Sequence, residues 1–176
     1  LLTVAVLGLL LYYLLMGTPP IIGEAPPSGP AVASNYLVAA DNWQFDENGL
    51  RSHQLSVADM KFFDSAGVSI ITEPRLALYT DGEPSWSVRA DHGLLNDQEE
   101  HIRLSGEVVL RSLDGGPRLD TTEMDIYPRS KLAKSDQAVA VSDGSSQLTA
   151  NTMEADLDKR RVTLKHKVEG SYRAGD

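Results

Sequence analysis

A strand cassette that recurs along the chain with one fixed irregularity constrains the fold more than any other feature. Four stretches at roughly 30-residue intervals begin at Leu55, Trp86, Leu119 and Leu148. Counting each first residue as position one, apolar or small side chains fall at positions one, three, six and eight. The first unit supplies Leu55, Val57, Met60 and Phe62, the third Leu119, Thr121, Met124 and Ile126, and the fourth Leu148, Ala150, Met153 and Ala155. Steps of two place side chains on one face of a strand. The step of three inverts that parity, so a flat strand turns half the set to water. A bulge or sharp bend at the step returns all four residues to one face. The second unit, WSVRAD, keeps the alternation through Trp86, Val88 and Ala90 and breaks step at Asp91.

Each unit then turns and returns along a second strand, expected at 70–80, 102–110, 138–141 and 162–168. Turn chemistry separates them at 64–67, 81–84, 114–117, 143–146 and 157–161. A further strand is expected at 36–45, closed by the turn at Asn48 and Gly49, and Gly106 is the residue a bulge tolerates best. Helix periodicity is absent after the first residues. The expected architecture is a ladder of bent antiparallel strands around an elongated apolar interior, a jelly roll or folded β-solenoid over residues 36–172. Such a ladder stops at two unpaired edges, which a protein must either cover or use.

The N-terminal fifth of the chain is of another kind. Residues 1–16, LLTVAVLGLLLYYLLM, carry no charge, and as a helix they span about 24 Å against a hydrocarbon layer of roughly 30 Å. The chain begins at Leu rather than Met, so further apolar residues are expected to precede it. A signal peptide is the competing reading, supported by the small residues Ala31 and Ala33, but these lie far beyond the apolar run, across several prolines. A retained single-span anchor over 1–16 is the better reading. Residues 17–35, rich in Pro and Gly, form an extended tether, and the β domain covers 36–173. All sixteen Lys and Arg residues lie at or after Arg51. The absence of positive charge after the span therefore places this side away from the cytoplasm.

Charge and composition exclude several functions. A formal net charge of −9 argues against nucleic acid as the main partner, and with no cysteine there is no disulfide or thiolate metal site. His53, His92, His101 and His166 lack metal-ligand spacing and read as solvated strand positions. Asp120, Asp125, Glu154, Asp156 and Asp158 read as outward strand faces rather than an acid/base pair. No phosphate-binding glycine loop and no nucleophile elbow occurs. No enzyme activity, cofactor or metal is expected.

The segments ITEPRLALYTDGEPSWSVRADHGLL, HIRLSGEVVLR, RLDTTEMDIYP, KSDQAVAV and LTANTMEADL closely resemble the LptC family, the membrane-anchored component of the lipopolysaccharide export bridge. The resemblance covers the apolar run, the tether and nearly all of the β domain. It implies an all-β periplasmic domain, an open V-shaped antiparallel jelly roll (OstA-like), on one N-terminal transmembrane helix. The implied localisation is the inner membrane of a Gram-negative bacterium, single-pass, with the C-terminal domain in the periplasm. The implied function is lipopolysaccharide transport toward the outer membrane. Lipid is accepted from an inner-membrane ABC transporter with periplasmic β domains and passed to a soluble periplasmic carrier of the same fold, pairing through sheet edges.

The resemblance also implies a lipid groove. Its expected lining is Phe62, Ile71, Trp86, Val88, Leu104, Val108, Leu110, Leu119, Met124, Ile126, Val141, Leu148, Met153, Leu157 and Leu164. Such an interior shields acyl chains, each methylene gaining about 0.8 kcal/mol on leaving water, and the methionines add an adaptable surface. The competing reading for each residue is an ordinary packed core. The N-terminal partner edge is expected at Tyr36, Val38 and Trp43, and the C-terminal one at Val162, Leu164, Val168 and Tyr172. Arg129, Lys131 and Lys134 in one turn, with Lys159, Arg160 and Arg161 in another, are either solvated turns or a cationic rim for lipid phosphates. A membrane-tethered β scaffold that binds envelope proteins without carrying lipid is the alternative function.

Overall fold

The computed structural model describes residues 32–64, 66–96, 101–144 and 146–172. Among them the chain forms β1 (Asn35–Phe45), β2 (Arg51–Phe63), β3 (Val68–Thr72), β4 (Arg75–Thr80), β5 (Glu83–Arg89), β6 (His92–Asn96) and β7 (Ile102–Ser112). There follow β8 (Arg118–Tyr127), β9 (Leu132–Ser135), β10 (Val139–Asp143), β11 (Ser146–Ala150), β12 (Thr152–Asp156), β13 (Arg161–Lys165) and β14 (Glu169–Tyr172). No helix of the described residues is long and apolar enough to cross a membrane. The expected anchor at 1–16 and most of the expected tether lie outside the described residues.

The pairing has a simple plan once consecutive short strands are read as halves of one bent run. β2 pairs β1 along its length on one side and β3 and β4 on the other. β3 and β4 then pair β6 and β5, and these pair the two ends of β7. β8 follows β7, β9 and β10 follow β8, and β12 with β11 carries the ladder to β13 and β14. Each bent run thus pairs with the next in the chain, antiparallel throughout, and among the described residues the edges at β1 and at β13–β14 are unpaired. One flank holds β4, β5, β10, β11 and β14, and the other holds β3, β6, β9, β12 and β13. The long strands β1, β2, β7 and β8 run through both.

The bends line up across the runs, and each has a local cause. Ala39, Glu73, Gly106, His166 and Lys167 adopt positive φ at or beside them. On β7 the register slips between Ser105 and Val108 against β8, which is the bulge expected at Gly106. Its φ is 97°, and an added Cβ would lie 2.7 Å from the Asp91 Cβ and closer still to its carboxylate. The Asp91 carboxylate accepts a hydrogen bond from the Glu107 N–H at 2.9 Å, occupying the space glycine leaves. Asp91, where the second cassette breaks step, therefore closes the bulge on its neighbour. Elsewhere along the corner, side chains replace interrupted ladder bonds. Ser135 Oγ donates to the Glu123 carbonyl at 2.7 Å, and Thr121 Oγ1 donates to the Ala138 carbonyl at 2.9 Å.

With parity restored at the bends, the cassette residues face one interior. Leu119, Met124 and Ile126 are fully buried with Thr121 beside them, and Ala150, Met153 and Ala155 are buried on the fourth unit. The interior forms one apolar cluster from Val57 on β2 to Leu157 after β12. Each fully buried large side chain contributes about 1.5–3 kcal/mol relative to exposure.

Three local expectations are corrected. Leu132–Ser135 is a strand, so Lys134 does not belong to the turn that holds Arg129 and Lys131. The last run is not one regular strand, because His166 and Lys167 turn it between β13 and β14. Asp158 lies in the turn after β12 and not in a strand.

Candidate functional site

The expected groove residues are brought together, though not equally buried. Ile71, Trp86, Val88, Leu104, Val108, Leu110, Leu119, Met124, Ile126, Val141, Met153 and Leu157 are buried within the one cluster, with Phe62 and Leu164 half-buried against it. Leu148 differs at 38% exposed. It lies on β11 opposite Val141, with only β14 beyond, and opposite Gly170 of β14, which offers no side chain to cover it. The interior is therefore packed in its middle and thins toward the C-terminal edge.

Trp86 fixes the packed middle. From β5 on one flank its indole N–H donates to the Leu157 carbonyl at 2.9 Å, at the end of β12 on the other. Arg160, in the turn that follows, forms an ion pair with Asp114 of the β7–β8 turn. The Ser112 hydroxyl donates to Asp114, and chiefly for that reason the Asp114 carboxyl lies below its ordinary pKa. These contacts hold the two flanks together at one place.

Toward the N-terminal edge the flanks instead leave a cavity of ≈ 1250 Å³. Val57, Met60 and Phe62 of β2, with Leu95 of β6 and Ile102 of β7, supply its apolar floor. Arg51, His53, Arg129 and Lys131 lie around it, together with Asp41, Asp46 and Asp81. Burial lowers the pKa of His53, and the charge of Arg129 lowers it further, so the imidazole is held neutral. His53 is thus a cavity residue rather than the solvated strand position expected. The signal was present: it precedes Leu55 and Val57 in steps of two. His101 is also half-buried, its ring stacked on Tyr127 at 4.9 Å between centroids. His92 and His166 are exposed.

The two basic clusters separate. Arg129 and Lys131 line the cavity, and Lys131 Nζ also reaches Asp158 at 2.9 Å. Lys134 stands on β9 between Asp125 of β8 and Glu154 of β12. Lys159 binds Asp156 at 2.7 Å, a hydrogen bond that draws the Asp156 carboxyl below its usual range, and Arg160 holds Asp114. Among the described residues no group of His, Asp and Glu is arranged to hold a metal.

The edges are unlike. β1 exposes Tyr36, Val38, Trp43 and Phe45, with the Arg51 guanidinium 4.9 Å above the Trp43 ring. At the other edge Val162 and Leu164 are half-buried on β13, Val168 is exposed at the bend, and Tyr172 ends β14.

A family model described as lipopolysaccharide-assembly, LptC-related, matches residues 1–173. The chain belongs to the LptC family. LptC membership places it in lipopolysaccharide transport, as a component of the export bridge, and fits a periplasmic location for the β domain. Among solved structures it is similar to LptH from Pseudomonas aeruginosa, described as the LptA homologous periplasmic component of the lipopolysaccharide transport device. The TM-score is 0.53 at 9% identity, covering 77% of this chain and 96% of that one. At that identity the likeness shows the fold alone, and it is the all-β antiparallel fold expected. No curated protein sequence matches this chain.

Proposed function

We propose that this LptC protein accepts lipopolysaccharide from an inner-membrane ABC transporter and passes it through its apolar interior to a soluble periplasmic carrier of the same fold. The transporter's periplasmic β domain docks on β1 and the carrier on β13–β14, while residues 1–16 anchor the chain as a single span. One observation carries the reading. The apolar cluster runs from Val57 and Met60, which line the ≈ 1250 Å³ cavity beside the β1 edge, to Val141, whose cross-strand neighbour on β11 is the exposed Leu148. Cavity, core and exposed end lie in the order a transfer between two docked partners needs, and among the described residues an unpaired edge stands at each end.

A photo-crosslinking residue at Phe62, Ile126 or Leu148 tests this in membranes holding transporter and lipopolysaccharide. ATP-dependent lipid adducts at all three positions are expected. Adducts at none, with both partners still captured, would identify a scaffold that binds envelope proteins without carrying lipid.

A further inference from the structure

The two outer faces of the β domain treat charge in opposite ways. On the β6 flank, cross-strand neighbours alternate in sign. Arg103 faces Asp125, Asp125 faces Lys134, and Lys134 faces Glu154. Arg103 binds Asp125 at 2.9 Å, so this face is balanced internally. On the β4 flank, like faces like. Arg75 of β4 stands directly opposite Arg89 of β5, and Arg111 of β7 directly opposite Arg118 of β8. Like charges directly opposite destabilise a sheet. These four arginines surround one shallow groove of ≈ 470 Å³. Arg118 is held by Asp120, whereas Arg75, Arg89 and Arg111 form no ion pair among the described residues. Val109, on the same face between Arg89 and Asp120, is only 7% exposed. The face is therefore covered while its guanidinium groups remain exposed.

In a chain of net charge −9, four arginines around a groove whose lining holds no carboxylate, with Asp120 alongside to pair Arg118, mark a surface that meets anions from outside. We propose that this face docks on the phosphate headgroups of an anionic membrane surface. Planar guanidinium forks match phosphate oxygens two at a time, and a flat sheet face presents several at once. The hairpin tip that joins Arg111 to Arg118 exposes Leu113 at 47%, an apolar residue beside the cations as interfacial contacts require. The eighteen residues 17–34 separate the apolar run from β1, and fully extended they reach at most about 60 Å. A bilayer that holds residues 1–16 is within that range. The inference rests on the anchor reading and is independent of lipid passage through the interior.

The absence of cysteine allows a clean test with the full chain in nanodiscs. A fluorophore on Ser142→Cys, next to Arg118 on β10, reports this face, and one on Thr163→Cys of β13 reports the other flank. Headgroup-nitroxide lipid is present in both a zwitterionic bilayer and one containing phosphatidylglycerol. Quenching at residue 142 is expected to rise in the anionic bilayer, to vanish at high salt, and to exceed that at residue 163. Each arginine near an anionic surface shifts docking about fivefold, so Arg89→Gln with Arg111→Gln should lower the docked-to-free ratio about 25-fold. The melting temperature of that pair should hold or rise, since the opposed charges are relieved. Equal quenching in both bilayers would overturn the proposal. Charge-independent quenching joined to loss of transporter capture by the arginine pair would give the face to an acidic protein instead. Retention of the chain in nanodiscs checks the anchor separately.

Discussion

Replacing Gly106 with alanine tests the bend that lets the cassette fold. Two costs add. At φ 97° an L-residue is strained by roughly 1–3 kcal/mol. The new Cβ also meets Asp91 at 2.7 Å from its Cβ, so the carboxylate must leave and its bond to Glu107 N–H, 2.9 Å, is lost. A hydrogen bond to a charged acceptor contributes about 1.5–3 kcal/mol, and the exposure of Asp91 and Glu107 puts this one at the low end. The sum is about 2.5–4.5 kcal/mol. For a domain of this size that corresponds to a loss of roughly 10–15 °C in Tm. Urea denaturation and calorimetry of Gly106→Ala, Asp91→Ala and the double variant resolve the parts. Asp91→Ala alone should cost about 1–1.5 kcal/mol. The double variant should cost less than the two singles combined, because the collision is gone. A Gly106→Ala protein within 0.5 kcal/mol of the parent would refute the argument, since the bend would then need neither the glycine nor the carboxylate that fills its place.

Trp86→Phe removes the indole donor and leaves the Leu157 carbonyl without that partner, so a loss of about 1–3 kcal/mol is expected in denaturant unfolding; an unchanged midpoint would show that the joint between the flanks is held elsewhere. His53 has a folded pKa below its ordinary 6.5, so the unfolded chain takes up the proton first as pH falls. Its contribution to stability is complete above about pH 6.5 and is lost as pH drops through the depressed folded value. His53→Gln should accordingly flatten part of the fall in Tm between pH 7.5 and 5, and an identical acid slope would remove His53 as its source. Deleting residues 162–176 should abolish carrier capture while transporter binding persists; capture at the parental level would end the edge assignment.

Parity and chain order were legible in the sequence because both are local. The step of three from Thr121 to Met124 announces a bend, and a meander needs no pairing information beyond sequence order. β9 was not legible, because Leu132–Ser135 is too short to alternate visibly and follows a basic turn. The break after Lys165 was hidden for another reason. Positive φ at His166 and Lys167 is carried by residues that do not advertise it, where glycine at 106 does. The arginine face needs register: 75 and 89, like 111 and 118, are unremarkable in one dimension and become opposed pairs only when β4 meets β5 and β7 meets β8. Groove and core look alike along the chain, since both are inward apolar positions. Cavity volume beside β2 and exposure at Leu148 are what divide them.

Burial in the middle of the interior sets the physical condition for the proposed passage of lipid through it. Trp86, Leu104, Leu110, Leu119 and Ile126 are 0–2% exposed, so an acyl chain reaches Leu148 from the β1 cavity only if the flanks part. The corner resists shear, because Asp91, Thr121 and Ser135 tie neighbouring runs across it. The Trp86 to Leu157 bond and the Arg160 to Asp114 ion pair instead join opposite flanks, and these are the contacts that opening breaks. Opening without cargo exposes the inner faces to water at about 25 cal/mol per Å², which holds the empty protein shut. An entering chain covers the same area and gains about 0.8 kcal/mol for each methylene that leaves water. On the proposed function the lipid itself would stabilise an open state, and Trp86→Phe should raise crosslinking at Leu148 relative to Phe62 by weakening the joint between them. A fall in that ratio would mean that Trp86 is part of the path rather than its closure.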